Sequence, residues 1–164
     1  MEQPKRKHTR LTTWNYRAPG AYFITVCTKN KENLFWSDVG AIIDRPENVP
    51  LNHVGQIVDQ VIKNIPNHYP AITVDQYVIM PNHIHLLLQI HTDPDGRSMI
   101  APTISTVVRS MKGFAVKQAG FPLWQKGFYD HIIRSEADYL DCWQYIEGNP
   151  GKREEKYYEA RSFD

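Results

Sequence analysis

Apolar positions along this chain switch between a period of two and a period near 3.6, and the order of the switches predicts a topology. Ala21-Tyr22-Phe23-Ile24-Thr25-Val26-Cys27-Thr28 follows Pro19-Gly20 and is dense in aromatic and β-branched residues, which predicts a first strand. Residues 29 to 50 are polar, with Pro46 and Pro50, and read mainly as loop. Val54, Ile57, Val58, Val61, Ile62 and Ile65 then recur at helical spacing and predict a first helix over about 52–66, ended near Pro66. Strands are predicted over 72–80 and 83–90, joined by Pro81-Asn82. A loop containing Asp93-Pro94-Asp95-Gly96 leads to a second helix over about 101–118, whose stripe is Ile104, Val107, Val108, Met111, Phe114 and Ala115. Gly120-Phe121-Pro122 breaks it; a fourth strand is expected over 128–133 and a third helix over 136–149.

The order is β-α-β-β-α-β with one added helix. It predicts an α+β, ferredoxin-like fold: a four-stranded antiparallel sheet with the helices of the repeat on one face and an extra C-terminal helix. Residues 1–18 read as a basic arm, 19–150 as one domain and 151–164 as a charged tail.

The third strand carries the clearest chemical signal. Alternation puts Ile84, Leu86, Leu88 and Ile90 on one face, wholly apolar, and His83 and His85 together on the other. The second face is expected to be open. Two neutral imidazoles on one strand face can share a divalent cation. Two surface or hydrogen-bonded histidines are the plain alternative.

The last predicted helix offers partners for that pair. Ser135 is placed to cap it, with Asp138 closing a capping-box-like pair. Tyr139, Cys142, Trp143 and Ile146 make its apolar stripe, which puts Tyr145 on the flank of the stripe. Asn149 lies four residues beyond Tyr145 on the same side, and Pro150 ends the helix. Asn149 offers an amide oxygen as a third ligand, and two imidazoles with one amide oxygen suit Mg²⁺ or Mn²⁺ with phosphate oxygens in the open positions. A packed tyrosine and a helix-stop asparagine are the plain readings of the same two residues.

Charge adds a hint and composition removes classes. Net charge is +1, so bulk charge does not announce a nucleic-acid binder, but Lys5, Arg6, Lys7, Arg10 and Arg17 crowd the first twenty residues beside Trp14 and Tyr16. Basic groups among aromatics can follow a phosphate backbone and stack on bases; a solvated tail has the same composition. Arg109, Lys112 and Lys117 recur on the second helix. No apolar run approaches the roughly 20 residues of a membrane span, and the basic N-terminus lacks the apolar stretch of a signal peptide. Cys27 and Cys142 have no metal-type spacing and suit a reducing cytosol, so a cytoplasmic protein is expected.

These residues resemble the HUH single-tyrosine transposase family, in particular its REP-associated branch. The likeness runs from Gly20-Ala21-Tyr22-Phe23-Ile24-Thr25-Val26 through Met80-Pro81-Asn82-His83-Ile84-His85, Trp124-Gln125 and Phe128-Tyr129-Asp130-His131-Ile132-Ile133-Arg134 to Tyr145-Ile146-Glu147-Gly148-Asn149-Pro150. Insertion-sequence members often carry Gln where Asn149 stands. The resemblance implies metal-dependent cleavage and strand transfer on single-stranded or hairpin DNA. Tyr145 would be the nucleophile and His83, His85 and Asn149 the ligands of Mg²⁺ or Mn²⁺. Arg6, Lys7, Arg10, Arg109 and Lys112 are the candidate phosphate contacts, and Asp130 and His131 are candidate supporting groups near the site. The family includes monomers and homodimers. A hairpin-binding protein that no longer cuts is the alternative.

Overall fold

In the computed structural model, residues 20–37, 51–91 and 102–148 are described. Four strands form one sheet: β1 (Gly20–Cys27), β2 (Ile72–Ile79), β3 (His83–Ile90) and β4 (Tyr129–Ile132). Their order is β2-β3-β1-β4 and every neighbouring pair is antiparallel. This is the ferredoxin-like arrangement, in which each crossover helix leaves one strand's space for the other half of the repeat.

The helices divide between the faces of the sheet. Tyr22, Ile24 and Val26 of β1 and Ile84, Leu86 and Leu88 of β3 are fully buried. They pack with Val58 and Ile62 of α1 (His53–Lys63) and with Ile104, Val107 and Met111 of α3 (Ile104–Ala119). A short α2 (Ile65–His68) follows α1, because Pro66 opens a new turn and cannot extend the old one. Asn52 caps α1 through the Gly55 amide, and Thr103 caps α3 through the Thr106 amide. Gly120, at φ +84°, takes the left-handed conformation that stops α3.

The other face is covered, contrary to the expectation that it is open. α4 (Glu136–Gly148) lies across it, and Phe23, Leu87, Cys142, Tyr145 and Ile146 form a second, smaller core there. The fourth strand is shorter than its sequence suggests and the second helix begins later, at its threonine cap. The segment with Arg6, Lys7 and Arg10, Asn149 at the end predicted for the last helix, and the charged C-terminal segment lie outside the described residues.

One irregularity in β2 matters for the site. The register with β3 shifts between Val74 and Gln76, leaving Asp75 as a bulge. Val74 and Tyr77 both pack on the larger core, although they are an odd number of positions, three, apart. A bulge is what allows this, because the extra residue resets the alternation and frees its own side chain to point elsewhere.

Candidate active site

His83 and His85 share the α4 side of β3, as alternation requires. Their rings lie 4.8 Å apart, centre to centre, inclined at 73°. Asn82 Oδ1 is 2.7 Å from His83 Nδ1, and an amide oxygen only accepts, so this nitrogen carries the proton. The lone pair of the neutral ring is then on Nε2. Asn82 is itself fixed: the Thr28 amide donates to its carbonyl, and the Thr28 hydroxyl, bonded more closely to the Glu32 carbonyl, lies 3.1 Å from it, while the Leu34 amide holds the preceding Pro81 carbonyl.

His85 is fully buried. Its Nδ1 is 2.9 Å from Thr25 Oγ1, on the adjacent residue of β1. The hydroxyl can donate or accept there; in the tautomer where Nδ1–H donates to it, the Nε2 lone pair is open as on His83. Phe23 stacks on the His85 ring at 5.1 Å. Two imidazoles bound to one cation through nitrogen put their centres roughly 5 Å apart, so the spacing and the outer hydrogen bonds at both Nδ1 atoms fit a divalent ion. His83, partly exposed, marks the side from which solvent reaches the pair.

α4 brings Tyr145 onto this pair. The Tyr145 ring meets His85 edge-on at 5.2 Å and Phe23 at 5.9 Å. It is only 9% exposed, so it belongs to the buried stripe of the helix with Cys142 and Ile146; Tyr139 and Trp143 form the margins. Ser135 caps the helix as expected, accepting from the Asp138 amide. The Asp138 carboxylate also reaches across to β4, pairing with His131 Nε2 at 2.6 Å.

α4 carries two tyrosines facing the sheet, and their surroundings differ. Tyr139 donates to the bulge residue Asp75 at 2.6 Å. Burial, that hydrogen bond and the aspartate's charge push its phenol up to about 12. Such a group resists ionisation and is a poor nucleophile. Tyr145 instead stands against an imidazole. Thr25, Asn82, Asp75 and Asp138 are supports that the sequence pattern does not single out. Thr25 is a polar residue inside an apolar strand, and adjacent Asp75-Gln76 breaks the alternation of β2, so each left a signal.

The remaining candidates scatter. His131 shares the face of the dyad, opposite Phe23 on β1, whereas alternation puts Asp130 opposite Ile24 on the other side. Arg109 is exposed on α3, and Lys112 gives its ammonium to the carbonyls of Gln125 and Gly127 at 2.9 and 3.0 Å. α3 packs on the sheet face opposite the dyad. Among the described residues, no helix is long and apolar enough to cross a membrane.

No family model matches the chain. An uncharacterized protein of Haemophilus influenzae is 37% identical over 164 residues, covering 88% of each chain. A second H. influenzae protein, whose name places it among REP-associated tyrosine transposases, is 26% identical over 150 residues, covering 84% of this chain and 76% of its own. A solved REP-associated tyrosine transposase, bound to a REP hairpin, superimposes with a TM-score of 0.55 at 20% identity, covering 92% of this chain and 73% of that one. The chain therefore belongs to one family with the uncharacterized H. influenzae protein, and its fold is that of the REP-associated tyrosine transposases.

Proposed function

We propose that this protein cleaves and rejoins single-stranded DNA beside a hairpin through a 5′-phosphotyrosine, as a transposase of the REP-associated type. The observation that carries the reading is the packing of the Tyr145 ring against His85, itself paired with His83 on one strand face. The hairpin bound to the solved transposase of the same fold supports the choice of substrate.

His83, His85 and Asn149 would hold Mg²⁺ or Mn²⁺. Such a cation withdraws charge from a phosphate oxygen and offsets the weakness of a phenol as nucleophile. Tyr145 Oη attacks the phosphorus; the new O–P bond forms as the bond to the 3′-oxygen breaks, and the phenol proton passes through solvent to that oxygen. A 3′-hydroxyl later attacks the phosphotyrosine, reseals the strand and returns a proton to Tyr145. One phosphodiester is exchanged for another, so no energy cofactor is needed. Arg6, Lys7, Arg10, Arg109 and Lys112 are the proposed phosphate contacts. Asp130, on the far side of the sheet, takes no part in the chemistry.

The test is incubation with labelled hairpin DNA and Mn²⁺, followed by a denaturing gel. The parent forms a covalent adduct and Tyr145→Phe binds the DNA without forming one. Cleavage by Tyr145→Phe at the parent's rate would mean that water is the nucleophile. Binding without an adduct by either protein, over several hairpins, would mean a hairpin-binding protein that no longer cuts.

A further inference from the structure

A second group of donors sits where α4 meets β4. His131 comes from the strand, and Asp138 and Cys142 stand one helical turn apart on α4. One ligand atom from each lies within 4.8 Å of the other two. His131 Nε2 is 2.6 Å from Asp138 Oδ2, and Cys142 Sγ is 4.0 Å from Asp138 Oδ1. Cys142 is in no disulfide and is fully buried, while the side chains of His131 and Asp138 are 24% and 20% exposed. The thiol therefore closes the inner side of the group and the imidazole and carboxylate open to water.

We propose that His131, Asp138 and Cys142 bind a Zn²⁺-class cation that joins α4 to β4. The donor set is the reason: Mg²⁺ and Ca²⁺ take oxygen, whereas one imidazole, one thiolate and one carboxylate suit a borderline-soft ion, with water in the fourth position. Ligands of a tetrahedral zinc lie roughly 3.3–3.8 Å apart. The Asp138–Cys142 separation is slightly wider than that. The His131–Asp138 separation is shorter, because a proton lies between the two groups. Binding takes Nε2 as a ligand, moves the imidazole proton to Nδ1 and releases the thiol proton to solvent. Both separations reach that range if the Asp138 carboxylate turns from His131 toward Cys142, and His131 and Cys142 are already within 4.8 Å of each other. Because the thiol must ionise, the apparent affinity rises with pH. The dyad uses different residues on β3, so this site stands whether or not Tyr145 is a nucleophile. Its consequence for the fold is a fixed α4 three residues before Tyr145.

The probe is Co²⁺ added to the full-length protein, because a thiolate ligand gives cobalt a charge-transfer band that imidazole and carboxylate do not. The parent is expected to develop that band with one equivalent of Co²⁺ and to lose it when Zn²⁺ is added. Cys142→Ser is expected to abolish it. His131→Gln, which keeps a polar group facing Asp138, is expected to weaken Co²⁺ binding by more than about tenfold. His83→Ala and Cys27→Ser are expected to keep the band. Absence of the band in the parent, its survival in Cys142→Ser, or its loss in Cys27→Ser overturns the proposal and leaves His131–Asp138 as a hydrogen-bonded pair only.

Discussion

The two faces of the sheet are built by different means. On one, α1 and α3 bury aliphatic side chains from every strand, and Ile84, Leu86 and Leu88 disappear completely among them. On the other, one helix sets Cys142, Tyr145 and Ile146 against Phe23 and Leu87 of the sheet, a cluster of five buried residues. Apolar burial of that size is a weak hold on a thirteen-residue helix. α4 is fixed by directional ties instead: His131 to Asp138 on the β4 side and Tyr139 to Asp75 on the β2 side. The tolerant, non-directional face carries stability. The directional face carries the candidate chemistry, where position within about an ångström matters.

The widest split between the faces comes from one substitution on each. Leu86→Ala leaves a void in the larger core and is expected to cost about 2–5 kcal/mol in urea denaturation while sparing the identity of the nucleophile. Tyr145→Phe keeps the ring against His85 and Phe23, so it is expected to change stability by less than about 1 kcal/mol and to abolish the covalent adduct. If Tyr145→Phe proved the more destabilising of the two, the smaller core would be structural after all.

Thr25→Val tests the directional face one step away from the chemistry. The shape is kept and the oxygen facing His85 Nδ1 is lost. A buried imidazole nitrogen without its partner costs about 1–3 kcal/mol. The tautomer that leaves Nε2 as ligand also loses its support, so Mn²⁺ affinity is expected to fall about 10–100-fold by calorimetry. Unchanged affinity would show that Thr25 does not orient the ring.

The same contrast explains how much was readable in the sequence. Strand β3 and the order of elements were legible because burial leaves a strict period: Ile84, Leu86, Leu88 and Ile90 fall on one face whatever surrounds them. The directional face leaves no period. Asp75 required a bulge that alternation does not anticipate, although Val74 and Tyr77 both being large side chains across two polar residues hints at it. On α4 the stripe was centred one position away, since tyrosine and tryptophan suit either a core or its margin and only packing decides which. Asp138 was assigned to the cap because a local hydrogen bond can be seen in sequence; its partner, His131, lies on another element.

Alkali separates the ties on the two faces. Tyr139 titrates at 10.0 when unperturbed and near 12 in the fold. Between those values the folded chain holds the proton more tightly than the unfolded one, so unfolding free energy falls as pH rises. This contribution is complete below pH 10 and gone above about 12. Tyr77, which donates to Asp59 of α1 on the opposite face, is shifted upward further by burial and the same kind of partner. Tyr139→Phe is therefore expected to flatten the decline in stability between pH 10 and about 12 only, whereas Tyr77→Phe flattens that window and also the decline that persists above it. Identical profiles for Tyr139→Phe and the parent would show that the Asp75 tie does not hold α4.

The smallest effect asks whether DNA is confined to the α4 side. Arg109 and Lys112 both lie on α3, behind the sheet from the dyad, yet they differ in what they can give. Lys112 spends its charge on two backbone carbonyls that fix the segment before β4, so Lys112→Met is expected to cost about 1 kcal/mol of stability. Arg109 is exposed, and Arg109→Ala is expected to leave stability within about 0.5 kcal/mol. If hairpin DNA reaches round the edge of the sheet, Arg109→Ala weakens binding to all sequences alike and lowers the slope of log K against log salt by about one. Lys112→Met lowers it less, because its ammonium is already engaged. Equal slopes for parent and Arg109→Ala would restrict the phosphate contacts to the directional face and the N-terminal arm.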